Sequence, residues 1–203
     1  MADYLSNIEE LVDKDKTIID IWGLRRPKYE KKYETSVIRV ISQFGVKANT
    51  MTYTKGKYFG NAYEPYIIAF FIGLYSNKRL PLSEERDDLK DCGYSIEKWG
   101  DNKVGDFRKK YSGLRSYIFI ALVAKTDIDW IAVDKGDIKV SIAVTALINT
   151  MEEYANYGFA VMEEKLRENS SYFYSHRAFL DMFLQLTKKE FNFDDETESP
   201  EEL

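Results

Sequence analysis

The chain has 203 residues, 44% apolar and 31% charged, with a net charge of −5, amounts that fit one globular domain with a real core. Its single cysteine, Cys92, excludes an internal disulfide and a thiolate metal cluster. The longest apolar run, Tyr66 to Tyr75, is about half a membrane span, and Met1 to Leu11 lacks the basic-then-apolar order of a secretory leader. A cytoplasmic protein off the membrane is the expectation.

In chain order, Tyr4, Leu5, Ile8, Leu11 and Val12 have the spacing of a short amphipathic helix. Ile18, Ile19, Ile21 and Trp22 follow a charged break, and Gly23 stops them. Pro27 suits the first turn of a helix over 28–44, with Tyr33, Val37, Val40, Ile41 and Phe44 inward and Lys28, Lys31, Lys32 and Arg39 outward. Residues 46–62, punctuated by Gly56 and Gly60, read as an irregular loop or small hairpin. Pro65 opens the apolar run to Ser76. That run fits a buried helix, because companion strands are not evident elsewhere.

Residues 77–100 are polar and irregular around Pro81 and Gly93. Val104, Phe107, Leu114, Tyr117, Ile118, Ala121, Leu122 and Ala124 resume helical spacing, with Gly105 and Gly113 leaving the start open, and 127–136 connects past Trp130. The longest periodic stretch is 139–166. There Val140, Val144, Leu147, Met151, Tyr154, Phe159, Met162 and Leu166 line one face, while Ile142, Ile148, Ala155 and Val161 widen it. A helix striped so broadly has neighbours on more than one side. Tyr154, Ala155 and Gly158 put small residues beside a ring, where another helix can come close, with Asn156 on the far side. Ser175 is the expected N-cap of a last helix carrying Phe179, Met182, Phe183 and Leu186. The fold expected is an all-α, single-domain bundle of about six to seven helices over residues 1–189. Residues 190–203, with seven acidic groups and no basic one, form an acidic tail too poor in apolar surface to order.

Catalytic signatures are missing. His176, the single histidine, has no nucleophile or orienting acid beside it, and one imidazole is too few for the usual zinc site. Glu152 and Glu163 are three helical turns apart, about 16 Å, beyond the spacing of paired carboxylates in glycoside hydrolysis. With Glu153 and Glu164 they read as a solvated face. Gly56 to Gly60 matches neither phosphate-loop spacing, and the Glu-x-x-His of diiron bundles does not occur. No catalytic residue, metal ligand or cofactor is assigned.

Charge offers one candidate. Residues 14–57 carry eleven Lys/Arg and four Asp/Glu. Arg25, Arg26, Lys28, Lys31, Lys32 and Arg39 could neutralise phosphates from one helix face, joined in space by Arg108, Lys109 and Lys110. Against this stand the acidic total and the need of any amphipathic helix for a wet side.

Two segments also carry a resemblance. Tyr66-Ile-Ile-Ala-Phe-Phe-Ile-Gly-Leu-Tyr-Ser-Asn-Lys-Arg-Leu-Pro-Leu82 resembles a segment of small proteins associated with bacterial DNA phosphorothioation systems. Glu152-Glu-Tyr-Ala-Asn-Tyr-Gly158 is similar to the E-E-Y-A-N-G-G of the same proteins, with Tyr157 in place of a glycine. The resemblance implies an accessory of a DNA-modification or phage-defence locus and carries over no catalytic residue. The expectation is therefore a non-enzymatic helical interaction protein that binds a protein partner or nucleic acid. The alternatives are a hydrolase built from dispersed carboxylates and tyrosines, and a structural homo-oligomer.

Overall fold

The computed structural model describes residues 16–43, 57–100 and 113–190. The expected helix at 4–12, most of the loop at 46–62, the 108–110 cluster and the tail from 191 lie outside these residues. Among them the chain is mostly helical, with seven α-helices and one two-stranded antiparallel sheet, so the all-α expectation is corrected to mostly α.

Helix α1, Ile18–Gly23, starts at a capping box. Thr17 and Asp20 satisfy each other's backbone N–H groups, removing two of the open donors at a helix start. The helix expected over 28–44 does not begin there. Lys28–Glu30 is strand β1, paired with β2, Leu89–Asp91, and helical winding follows only afterwards. It passes through a π turn, Glu34–Ile38, into the short α2, Arg39–Ile41. The reason is remote pairing. Pro27 O accepts from Cys92 N–H at 3.1 Å and Asp88 O from Lys31 N–H at 2.7 Å, bonds that no helical wheel registers.

Helix α3, Tyr63–Tyr75, is the expected buried helix, begun two residues before Pro65, which falls in its first turn. Helices α4, Leu114–Lys125, and α5, Trp130–Lys135, follow, the latter capped by the Asp129 carboxylate on the N–H groups of Ile131 and Ala132. Helix α6, Val140–Glu168, is the central element at 29 residues, two residues longer at its C-terminal end than its apolar stripe. Helix α7, Ala178–Glu190, starts three residues after Ser175, whose hydroxyl accepts from Arg177 N–H at 3.2 Å.

The core forms where α3 crosses α6. A methyl on Gly73 would press on the Tyr154 carbonyl, 2.7 Å from its carbon; one on Gly158 would press on the Ala69 carbonyl, 2.7 Å from Ala69 Cα. Ala69 and Gly73 are one turn apart, as are Tyr154 and Gly158, so the two backbones touch over a full turn and run antiparallel there. Rings fill the space around this crossing. Phe159 stacks on Tyr33 at 5.3 Å and meets Tyr66 edge-on at 5.9 Å, while Trp99 stacks on Tyr63 at 5.7 Å. The small residue expected to admit a helix at Gly158 does so. Asn156 lies on the far side as expected, and its side chain is buried there.

Backbone pressed on backbone cannot yield as a flexible side chain can. Gly73→Ala and Gly158→Ala are each expected to destabilise the chain by at least about 2–3 kcal/mol in urea titration. Gly93→Ala, where the added carbon meets nothing within 4 Å and only the φ of +79° objects, should cost ~1 kcal/mol. Equal losses at all three positions would contradict the crossing.

Candidate functional site

Glu152 and Asn156 lie one helical turn apart on α6 and point at β1. Glu152 Oε1 accepts from Lys28 N–H at 2.7 Å, on the strand edge that β2 leaves unpaired. Asn156 Nδ2 donates to Glu30 Oε1 at 3.1 Å and to the carbonyls of Leu80 at 3.3 Å and Pro81 at 2.9 Å. Glu30 Oε1 also accepts from Ser83 N–H at 3.1 Å, and its other oxygen meets Lys32 Nζ at 2.5 Å. Two polar side chains of one helix thus fasten a strand and the 80–83 segment. Glu152, read from sequence as solvated, is half-buried with its carboxylate turned onto β1, and this corrects that expectation.

Three carboxylates at this junction are handled differently. Burial raises Glu30, but hydrogen bonds from Lys32 and Asn156 outweigh it and hold its carboxyl below the ordinary range. Glu34 follows the same logic, with Lys90 and Arg39 each at 2.5 Å from one of its oxygens. Glu152 accepts the backbone N–H of Lys28. Burial dominates and pushes it up to about 7. The neighbouring Tyr66 hydroxyl and Cys92 thiol are pushed up too, by burial first and then by the Glu152 charge.

Glu152 alone therefore has the protonation behaviour of a general acid or base. The described clefts do not reach it. One of about 400 Å³ is lined by Lys16, Asp20, Trp22, Glu97 and Arg115 among others; a wider one includes Ser36, Glu163 and Arg167. Neither includes Glu30, Glu152 or Asn156. Among the described residues no three His, Cys, Asp or Glu side chains converge as a metal site.

The nucleic-acid candidates are dispersed rather than gathered on one helix face. Lys32 is paired with Glu30 and Arg39 with Glu34. Lys28 lies on β1 and is half-buried. Arg26 and Lys31 are exposed, Arg25 is half-buried, and Arg108, Lys109 and Lys110 lie outside the described residues. His176 is exposed, its ring edge-on to Tyr58 at 5.9 Å. Sequence reasoning missed the Glu152–Asn156 pair because its partners are 124 and 126 residues away. The one available signal was an i,i+4 polar pair inside a helix otherwise apolar on several sides. Comparison with family models, with curated proteins and with solved structures gives no match to this chain.

The folded chain holds the Glu152 proton more tightly than the unfolded chain, whose carboxyl keeps its ordinary value of 4.5. Stability from this group is full below pH 4.5 and is lost as pH rises through about 7, a fall of roughly 3 kcal/mol. Glu30 and Glu34 have the opposite sign and act below 4.5. Glu152→Gln, which keeps an acceptor for Lys28 N–H, should flatten the decline in unfolding free energy between pH 5 and 8 measured by denaturant titration, within about 1 kcal/mol. An unchanged slope would show that the group does not titrate there. Asn156→Ala should cost about 2–3 kcal/mol by the same measurement, because two carbonyls and Glu30 lose a buried donor.

Proposed function

We propose that this chain is a non-enzymatic helical interaction protein that binds another protein in the cytoplasm, as an accessory of a bacterial DNA-modification or phage-defence system. What carries the binding part is how the side chains are used. The buried carboxylates are engaged with backbone and cations inside the fold, while large apolar side chains stand in solvent on four helices: Tyr117 and Ile120 on α4, Ile131 on α5, Ile142 on α6, Leu180 and Leu184 on α7. The cellular setting rests on the resemblance of 66–82 and 152–158 to proteins of phosphorothioation systems. The lone buried Cys92 agrees with a reducing compartment. No helix among the described residues is long and apolar enough to cross a membrane.

A protein partner is favoured over nucleic acid because two of the six described candidate cations, Lys32 and Arg39, are already neutralised by carboxylates. A hydrolase is the second reading, and the proton held by Glu152 near neutral pH is the observation in its favour. The described clefts open elsewhere, which weighs for the binder.

Affinity purification of the full chain from its own cells after mild cross-linking tests the proposal. One protein partner at fixed stoichiometry, retained after nuclease treatment, is the expected result. Loss of the partner on nuclease treatment, or a chain that elutes alone, would overturn it.

A further inference from the structure

Helix α4 has only three polar residues in twelve, Arg115, Ser116 and Lys125. Ile118 and Leu122 are buried against the core, and Phe119 meets Trp22 of α1 at 5.5 Å. On the side left over, Ser116, Ile120 and Ala124, spaced i, i+4 and i+8, make one exposed row with Tyr117 next to it. Ile120 is 66% and Tyr117 57% exposed. A helix apolar nearly all round belongs in an interior, yet this row is open.

The described chain starts at the foot of that row. Lys16 lines the cleft of about 400 Å³ whose walls also include Arg115 and Ser116, in the first turn of α4. Residues 1–15 lie outside the described residues, but their sequence has what the row needs. Tyr4, Leu5, Ile8, Leu11 and Val12 share one side of a helical wheel, with Ser6, Asn7, Glu9 and Glu10 on the other. The lengths agree as well. As a helix, residues 4–12 would span about 13 Å, against about 12 Å from Ser116 to Ala124. Asp13 to Asp15 can bridge ~10 Å from Lys16.

Charge points the same way. Residues 1–15 carry Asp3, Glu9, Glu10, Asp13 and Asp15 against the single Lys14. Arg115 stands at the start of α4 and Lys125 at its end. Their hydrogen bonds go to groups without charge: Arg115 donates to Glu97 O at 2.6 Å and Lys125 Nζ to Asn77 Oδ1 at 2.9 Å. A second copy of the row, laid antiparallel, would set Arg115 against Lys125, like charge on like.

We infer that residues 4–12 dock as a helix, antiparallel, on the Ser116–Ile120–Ala124 row of α4, with Asp13 toward Arg115 and Asp3 toward Lys125. An amphipathic helix here supplies from within the chain the apolar side that a surface helix lacks. The inference goes beyond the interaction reading above. It takes α4 out of the surface offered to a partner and leaves Ile131, Ile142, Leu180 and Leu184.

Hydrogen exchange of the full chain, read by mass spectrometry, tests it together with a double-mutant cycle. Amides of residues 8–12 are expected to exchange at least ten-fold more slowly than in an unfolded chain, at any protein concentration. Ile120→Ser on α4 and Ile8→Ser in the segment should each abolish that protection, while Leu180→Ser on α7 leaves it intact. Both of the first two variants should lower the urea midpoint, and the double variant no further than the worse single one. Unfolded-chain exchange at 8–12, protection that survives Ile120→Ser, or additive shifts in the cycle would overturn the inference. So would protection that grows with concentration alongside a dimer in sedimentation, which would make the occupant a second copy, or loss of protection with Leu180→Ser, which would place the segment on α7.

Discussion

The contact of α3 with α6 sets most of this structure. Two backbones that touch over a turn, at Gly73 and Gly158, leave no room for sliding or rotation, since any shift drives a carbonyl into a neighbouring Cα. With α6 held by Tyr154 and Gly158 on one side, Glu152 and Asn156 fall about 160° round the helix, on the side that meets β1. One close approach therefore orients both faces of the central helix. It also places Phe159, which packs on Tyr33 before α2 and on Tyr66 of α3. The ring core is a consequence of the crossing as much as a contributor to it.

The polar junction on the far side of α6 replaces a third strand. A two-stranded sheet leaves β1 with one open edge, and a buried open edge is costly. Glu152 takes the Lys28 N–H, and Asn156 ties Glu30 to the carbonyls of Leu80 and Pro81. The cost falls on Glu152, where burial outweighs the Lys28 N–H bond, so that it keeps its proton to near neutral pH. Glu30 and Glu34, each against a lysine or arginine, do not. Three carboxylates within one region differ because the donors around them differ, which is why the perturbed group marks a structural junction as readily as a site of chemistry.

Away from this interior the surface divides by character. Cations near β1 are partly cancelled by Glu30 and Glu34, whereas α4 and α7 leave Tyr117, Ile120, Leu180 and Leu184 exposed. A helix such as α4, with so few polar residues, has more apolar surface than its own core contacts cover. That surplus is the physical ground for reading the described surface as one completed by a further segment, the chain's own or a partner's.

Periodicity alone sufficed for the long helices. The stripe of 139–166 became α6, the run from Tyr66 became α3, and Gly158 was legible as a point of close approach because a small residue beside a ring has that meaning in any helix. A basic amphipathic wheel over 28–44 is equally convincing and misplaces its start, and Glu152 reads as part of a solvated face. The difference is range. Apolar spacing reports which way a helix must face, a property of residues within a few turns. Whether Lys28–Glu30 pairs with Leu89–Asp91, or a carboxylate reaches a backbone donor on a distant strand, depends on where tertiary packing brings segments together. Local hydrogen bonding at residues 28–30 would serve a helix as well as a strand, and only the third dimension chose between them.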